Sequence, residues 1–353
     1  MPRQWRCAVV GTGMVGEWHV KTLPKIPGCE LVAICDFHET NGQKALAKNN
    51  LDSVPIYTNA EEMYRKEKID AVHVCTPSGD HQGPAMMAMQ RGKFVVVEKP
   101  MEIHPGRIDE MVETAKKNGV RLAGIFQNRW SPANQAIKKA VEEGRFGRLA
   151  WAGSFTPWYR PDKYYDDVPW RGTWKLDGGG AVMNQGVHQV DLLQWIVGPV
   201  KTVCAFASSR IHAKIETEDT MSCAIQFASG AYGTFVSTTA MFPGGQTRLE
   251  LGGENGTAIS EGGLKRFQFR DARPEDDELL NKLDPSRTKS SGGGTSAADV
   301  PLNLHEININ SIYEAWNHDR DAETSGPEAR KAVAIIQAMY QSNRNGGQPV
   351  DVK

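Results

Sequence analysis

The sequence predicts an α/β protein of two domains. The first is a Rossmann-type doubly wound parallel sheet, and the second is an α/β domain with a large, mostly antiparallel, open-faced sheet. Three observations lead there. An apolar run, WRCAVV, passes directly into the glycine turn GTGMVG and a helix-like stretch. Strand-like and helix-like segments then alternate as far as Phe126, the pattern of a parallel sheet with crossover helices. Beyond that point strand-like segments succeed one another with turn glycines between them, which suits antiparallel pairing. At 353 residues the chain exceeds one ordinary core, and the boundary is expected near Gln127, giving domains 1–127 and 128–353.

Composition narrows the class. With 41 basic and 42 acidic residues the net charge is −1, so no field is available to hold a phosphate backbone and no nucleic-acid partner is expected. No apolar run approaches the roughly 18 residues of a membrane span, and Met1 to Arg6 lead into a strand without a signal-peptide core. A soluble, cytoplasmic protein is expected. The six cysteines form no CxxC pair and do not cluster with the nine histidines, so free thiols and no metal are predicted.

In GTGMVG, Gly11 permits the tight turn, Gly13 lets a pyrophosphate approach the backbone, and Gly16 lets helix and strand pack closely. Thr12, Met14 and Val15 complete the loop, whose helix N-terminus suits phosphate. A second strand, Leu31 to Cys35, ends in Asp36, at the distance past Gly16 where a carboxylate can bind the adenosine ribose hydroxyls. Asp36 would repel a 2′-phosphate, and the following Phe37 and His38 offer no arginine to compensate. NAD is therefore expected in preference to NADP.

Helix Thr40 to Lys48, a short strand at Ile56 and a helix after Thr58 follow, with Thr58 and Glu61 at capping-box spacing. Then come strand Ala71 to Cys75, helix Gln82 to Arg91, strand Phe94 to Val97, helix Pro105 to Lys117 and strand Arg121 to Phe126. Ligands bind at the carboxyl ends of such strands. Thr76, Pro77 and His81 follow one strand end, and Glu98, Lys99 and Pro100 follow another. All but Pro100 are candidates for the cofactor site, with helix capping an equal reading for His81. Lys99 can also donate to a substrate oxygen and stabilise developing negative charge. His73, inside its strand, is expected to be a packed or edge histidine rather than a catalytic one.

In the second domain Ser131 caps a helix reaching Glu143, with Pro132 at its first position. Strands are expected at Leu149 to Thr156, Val200 to Ser208, Met221 to Phe227, Tyr232 to Thr239, Thr247 to Leu251 and Leu264 to Phe269. Between the first two lies a segment with two arginines, three tyrosines and three tryptophans. Aromatic faces beside such donors suit a sugar ring. Tyr159, Arg160, Tyr164, Trp170 and Arg171 are the candidate substrate residues, whereas Trp174 is expected to pack. The segment ends in DGGGAVMNQGVHQVDLLQWIVG, a helix of about five turns. Asn184 and His188 stand on one of its faces four residues apart, with Asp191 three further on. Residues 271–300 read as a mobile polar loop, and helices Leu304 to Arg320 and Pro327 to Asn343 close the chain.

Together VVGTGMVG, VCTPSGDH, VVVEKP, WRGTW, DGGGAVMNQGVHQVDLLQW and PEARKAVAIIQAMYQS resemble the glucose-fructose oxidoreductase/inositol dehydrogenase/rhizopine catabolism (Gfo/Idh/MocA) family over nearly the whole chain. The resemblance implies hydride transfer between NAD(P) and a hydroxyl carbon of a sugar, cyclitol or nucleotide sugar. It also implies homodimers or homotetramers formed through the second sheet. Lys99 matches the family's catalytic lysine and His188 its catalytic histidine. Many members carry an aspartate where this chain has Asn184, and an amide can orient a hydroxyl but accepts no proton. Proton transfer is accordingly assigned to His188, polarisation of the oxygen to Lys99, and holding of the substrate or imidazole to Asn184. Two further readings remain open: a redox-neutral lyase, epimerase or glycosidase working through a transient keto-sugar, and a non-catalytic NAD or sugar sensor.

Overall fold

The computed structural model describes residues 3–283 and 302–353. The chain forms two compact units, Met1–Phe126 with His305–Arg330, and Gln127–Leu304 with Lys331–Lys353.

In the first unit β1 (Trp5–Val10) leads through the glycine turn to α1 (Met14–Thr22), then β2 (Cys29–Cys35), α2 (Glu39–Ala47), β3 (Ile56–Tyr57) and α3 (Ala60–Lys66). β4 (Ala71–Val74), α4 (Gln82–Gln90), β5 (Phe94–Val97), α5 (Pro105–Lys117) and β6 (Leu122–Gly124) follow. The sheet is parallel throughout, in the order β3-β2-β1-β4-β5-β6. The order reverses between β1 and β4, which places the ligand crevice of such a sheet at their carboxyl ends. The strands β4 and β5 are almost wholly apolar and buried, as a sheet covered on both faces requires.

The first unit also takes back His305–Arg330, which the expectation of a single domain over 128–353 did not foresee. The reason is core volume. Ile309, Ile312, Tyr313 and Trp316 are buried with Trp5, Val9, Leu31, Ile34 and Val96. Trp5 is fully buried, lies edge-on to Phe94 and Tyr313 with ring centroids 5.1 and 5.4 Å away, and donates its indole N–H to Asn317 Oδ1 at 2.8 Å. Losing that side chain should cost about 3–5 kcal/mol.

The second unit contains α6 (Pro132–Glu142), β7 (Leu149–Pro157), α7 (Asp162–Asp166), α8 (Val187–Val197), β8 (Val200–Ser208), β9 (Thr220–Phe227) and β10 (Tyr232–Thr238). It continues with β11 (Arg248–Gly253), β12 (Gly256–Glu261), β13 (Leu264–Phe269) and α9 (Pro274–Leu283). After α10 (Leu302–Asn317) and α11 (Gly326–Arg344), the short β14 (Val350–Asp351) adds an edge strand. Its eight-stranded sheet runs β13-β12-β11-β7-β10-β9-β8-β14. Only the β7–β10 pair is parallel; the other pairs are antiparallel. One face buries Ala152, Leu249, Leu251, Phe235, Ile225 and Met221. The other leaves Trp151, Tyr232 and Phe206 exposed, as the alternation of side chains along strands dictates.

Local differences have local causes. The cap of α3 is Asn59, not Thr58: its side-chain oxygen accepts the N–H groups of Glu61 and Glu62, the donors two and three residues past the cap that an N-cap side chain serves. Part of the segment expected to be a mobile loop is helix α9. Three acidic residues stand in its first turn, where the helix dipole favours them, and Arg145 grips Asp276 with two bonds of 2.6 and 2.7 Å. The remainder of that expected loop, 284–300, lies outside the described residues. Among the described residues, no helix is long and apolar enough to cross a membrane.

Candidate active site

The glycine loop after β1 is shaped at each glycine. Gly11 has φ +87°, and a Cβ there would stand 2.7 Å from the Cys75 carbonyl carbon. At Gly16 a Cβ would meet the Gly11 carbonyl oxygen at 2.0 Å. Gly13 differs: nothing lies within 4 Å of where its Cβ would be. The chain thus leaves an open cradle at the residue preceding α1, where the first backbone N–H groups of the helix are free to bind an anion. The Asp36 carboxylate closes the loop, accepting Thr12 N–H at 2.7 Å, Thr12 Oγ1–H at 3.0 Å and His38 N–H at 2.9 Å. Phe37 is 90 % exposed. These residues fit a dinucleotide.

At the carboxyl ends of β4 and β5, His81 ties two loops together, its ring nitrogens 2.8 Å from the Thr76 carbonyl and 2.9 Å from the Pro100 carbonyl. Burial pushes its pKa down. Its side chain makes no capping bond to α4. Thr76 Oγ1 donates to the Asp80 carbonyl at 3.1 Å, and Pro77 begins the turn between them. The Glu98 carboxylate is buried and turned inward. Its Oε1 accepts from His19 Nε2 at 2.9 Å and lies 2.8 Å from His305 Nε2, while Oε2 accepts the Lys99 backbone N–H at 3.0 Å. Burial alone would raise this carboxyl, but His305 and His19 outweigh it and hold it well below the ordinary range.

The network continues from His19 Nδ1 to His73 Nδ1 at 2.7 Å, and from His73 Nε2 to the Tyr313 hydroxyl at 2.8 Å. Sequence reading foresaw a packed His73 and gave no role to His19 or His305. Their signal was weak, because His19 lies one turn beyond the glycine motif and His305 stands far along the chain from its partner Glu98. His19, Glu98 and His305 are also the one group among the described residues with ligand atoms close enough to hold a cation. Ordinary hydrogen-bond lengths to Glu98 account for the arrangement without one.

In the second unit, Gly178 to Gly180 lead into a single π-helical stretch, Ala181–Gly186, followed by α8. Such stretches are rare and frequently mark functional sites. A Cβ on Gly179 would lie 1.9 Å from the Tyr340 hydroxyl, and one on Gly180 would lie 1.8 Å from the Glu218 carbonyl oxygen. Glu218 holds the helix start. Its carboxylate accepts Gly180 N–H, Val182 N–H at 2.9 Å and the Tyr340 hydroxyl at 3.0 Å, and its carbonyl accepts Ala181 N–H. Burial raises the Glu218 carboxyl to about 7.

From Asp177 to Gln194 only Asn184 is not buried. His188, at 9 % exposed, opens more than Gln185 and Gln189, at 5 and 4 %. Asn184 Nδ2 donates to Asp177 Oδ1 at 2.7 Å, a partner that sequence reading missed because it precedes the glycines rather than standing on the helix. Asp191 does not serve His188. Its oxygens receive Arg129 Nε and Nη2 at 2.8 and 2.6 Å in a fully buried pair.

The aromatic segment divides. The Arg171 guanidinium stacks 3.9 Å over the Tyr164 ring, with Arg160 at 5.3 Å, and Gln185 Nε2 donates to the Tyr164 hydroxyl at 3.1 Å. Trp170 borders this group, 6.0 Å from Arg171. Tyr159 instead packs edge-on against Phe242, and Trp174 packs on Tyr340. Behind Arg160, whose carbonyl lies 2.7 Å from His212 Nε2, the other His212 nitrogen faces Asp219 at 3.1 Å.

Comparison with known proteins gives the family. Residues 5–126 match the family model described as the oxidoreductase family with an NAD-binding Rossmann fold. Residues 134–259 match the GFO/IDH/MocA C-terminal domain. The chain is similar to the WlbA dehydrogenase from Bordetella pertussis, solved in complex with NADH and UDP-GlcNAcA. The two are 31 % identical over 99 % of this chain and 98 % of that one, with a TM-score of 0.89. It is similar to the D-apiose dehydrogenase of Paraburkholderia graminis, at 25 % identity over 98 % of this chain and 89 % of the relative. It also resembles the 1,5-anhydro-D-fructose reductase of Ensifer adhaerens, at 28 % identity over 97 % of each.

Proposed function

Because the chain belongs to the Gfo/Idh/MocA family of NAD-binding oxidoreductases, we propose that it is an NAD-dependent dehydrogenase of a ring hydroxyl on a negatively charged, nucleotide-linked sugar. The observation that carries the reading is the pair Asn184 and His188, the first half-buried and the second, one turn on, at 9 % exposure within a buried helical run. A neutral imidazole accepts a proton, so His188 takes the proton of the reacting hydroxyl. Lys99 polarises that oxygen, and Asn184 holds the substrate. Bound NAD supplies the hydride acceptor.

The sugar class rests on two supports. Arg160 and Arg171 gather on Tyr164, beside Gln185 on the same helical run as Asn184, and guanidinium groups suit carboxylate or phosphate. The similar Bordetella pertussis enzyme was solved with UDP-GlcNAcA. NAD is favoured over NADP because Asp36 would repel a 2′-phosphate. The six free cysteines support a cytoplasmic setting, and the exposed Trp151, Phe206 and Tyr232 support assembly through the eight-stranded sheet.

The test is NADH formation, followed by absorbance, from NAD and a panel of free sugars, cyclitols, glycosides and nucleotide-linked sugars, including sugar acids. Sustained NADH from a nucleotide-linked sugar acid is expected, and none with Lys99→Ala. Silence across the panel from protein that binds NAD would refute the dehydrogenase, and exchange of a carbon-bound hydrogen with solvent would then identify redox-neutral chemistry.

A further inference from the structure

A carboxylate accepts about four hydrogen bonds, two at each oxygen, and the protein itself supplies four donors to Asp36. Oδ2 accepts the Thr12 N–H at 2.7 Å and the Thr12 Oγ1–H at 3.0 Å, and Oδ1 accepts the His38 N–H at 2.9 Å and the Asn41 Nδ2–H at 3.3 Å. In a dinucleotide fold of this kind the same carboxylate receives the ribose hydroxyls, which are donors too. A ribose hydroxyl that donates to Asp36 therefore replaces a donor already there.

The four donors are not equally movable. The Thr12 N–H is fixed by its neighbour: Gly11 N–H donates to the Cys35 carbonyl at 2.8 Å, and a Cβ on Gly11 would stand 2.7 Å from the Cys75 carbonyl carbon. His38 is fixed at the start of α2, where its carbonyl accepts the Asn41 N–H at 2.9 Å. The Thr12 hydroxyl, by contrast, swings away by rotation about one bond. Thr12 is 4 % exposed, so a hydroxyl turned off Asp36 gives up a bond that water does not readily replace.

We propose that the Thr12 hydroxyl is a built-in competitor of the cofactor's adenosine ribose: it occupies Oδ2 of Asp36, yields it to a ribose hydroxyl on binding, and so weakens the affinity for NAD. This rests on the reading above that NAD binds at this turn. Because one hydrogen bond is exchanged for another, Asp36 selects a ribose without holding it tightly. A weaker grip favours release of the cofactor, the kind of step that limits turnover in many enzymes.

A donor that stabilises only the cofactor-free protein leaves a thermodynamic signature. Thr12→Val keeps the shape of the side chain and removes the hydroxyl. The cofactor-free variant then lacks a bond that the wild type gives up on binding, so the stability it loses reappears as affinity.

The experiment titrates NAD into wild type and Thr12→Val by calorimetry and follows Tm over the same NAD concentrations. The variant should bind NAD about two- to tenfold more tightly, the net worth of one hydrogen bond. Its Tm should lie below wild type without NAD and meet it at saturation. ADP and 2′,3′-dideoxy-ADP locate the effect: the gain should appear with ADP and vanish with the analogue, which has no ribose hydroxyl to displace Thr12. Unchanged or weaker NAD binding by the variant, or an equal gain with both ADP probes, would overturn the proposal. If the valine variant does not fold, Thr12→Ala is read by the same outcomes. The titration needs no turnover, so silence on every sugar counts against the dehydrogenase reading alone, whereas protein that binds no NAD overturns both.

Discussion

Two helical stretches of this protein follow glycine-rich turns, and the glycines do different work. In the loop Gly11 to Gly16, the outer two make room for the chain itself, but a side chain at Gly13 would meet nothing within 4 Å. In the stretch Gly178 to Gly180, Gly179 and Gly180 are both filled by protein, one by the Tyr340 hydroxyl and the other by the Glu218 carbonyl. The first helix start leaves open space beside Gly13. The second spends its space on being gripped, and so holds Asn184 and His188 in place. A glycine motif by itself says only that a side chain is unwelcome, and the neighbour that excludes it tells what the glycine is for.

The widest separation of the two regions should appear in turnover. His188→Ala is expected to lower kcat about 10²- to 10⁴-fold, the usual worth of a positioned acid or base, with NAD affinity unchanged. Gly13→Val should do the reverse, weakening NAD binding at least about tenfold in a titration while Tm stays within a degree or two. If Gly13→Val unfolds the protein, the open cradle is misread. Next in size, Gly180→Ala drives a methyl group into the Glu218 backbone and should cost about 1–3 kcal/mol in denaturant unfolding. A neutral result there would show that the second helix start has slack.

The smallest effect concerns the support behind Arg160. Burial alone would lower the His212 pKa, but Asp219 and the Arg160 carbonyl outweigh it and raise it above 6.5. A base whose pKa rises on folding adds stability that is fully present below its unfolded value, and loses it as pH climbs through the folded one. The Tm gap between wild type and His212→Gln should therefore be widest below about pH 6.5 and narrow toward alkaline pH, with under about 1 kcal/mol at stake. A gap that stays constant with pH would remove the charge from this contact.

Much of the fold was legible because it is written in short range. Apolar runs of strand length, the glycine turn and Asp36 at the next strand end follow one another closely in the chain, and β1, α1 and β2 form where they predict. The helix carrying Asn184 and His188 was legible for the same reason, although its π-helical beginning was not. That irregularity depends on Glu218, which stands beyond β8 in the sequence and takes three successive N–H groups. The aromatic segment was legible as a group and not as individuals. Tyr164 and Arg171 stack on each other while Tyr159 pairs with Phe242, and that choice is made by β10 and the loop after it.

Residue types and their local spacing thus determined the two sheets and the dinucleotide-binding turn, and singled out Lys99, Asn184 and His188 as candidates, because periodicity and turn chemistry act over a few residues. Tertiary structure alone decided that Asp191 belongs to Arg129 and Asp177 to Asn184, that Glu98 faces His19 and His305, and that 305–330 fills the core of the first unit. A buried polar atom must find a partner wherever the folded chain brings one, and sequence spacing does not record how distant segments meet.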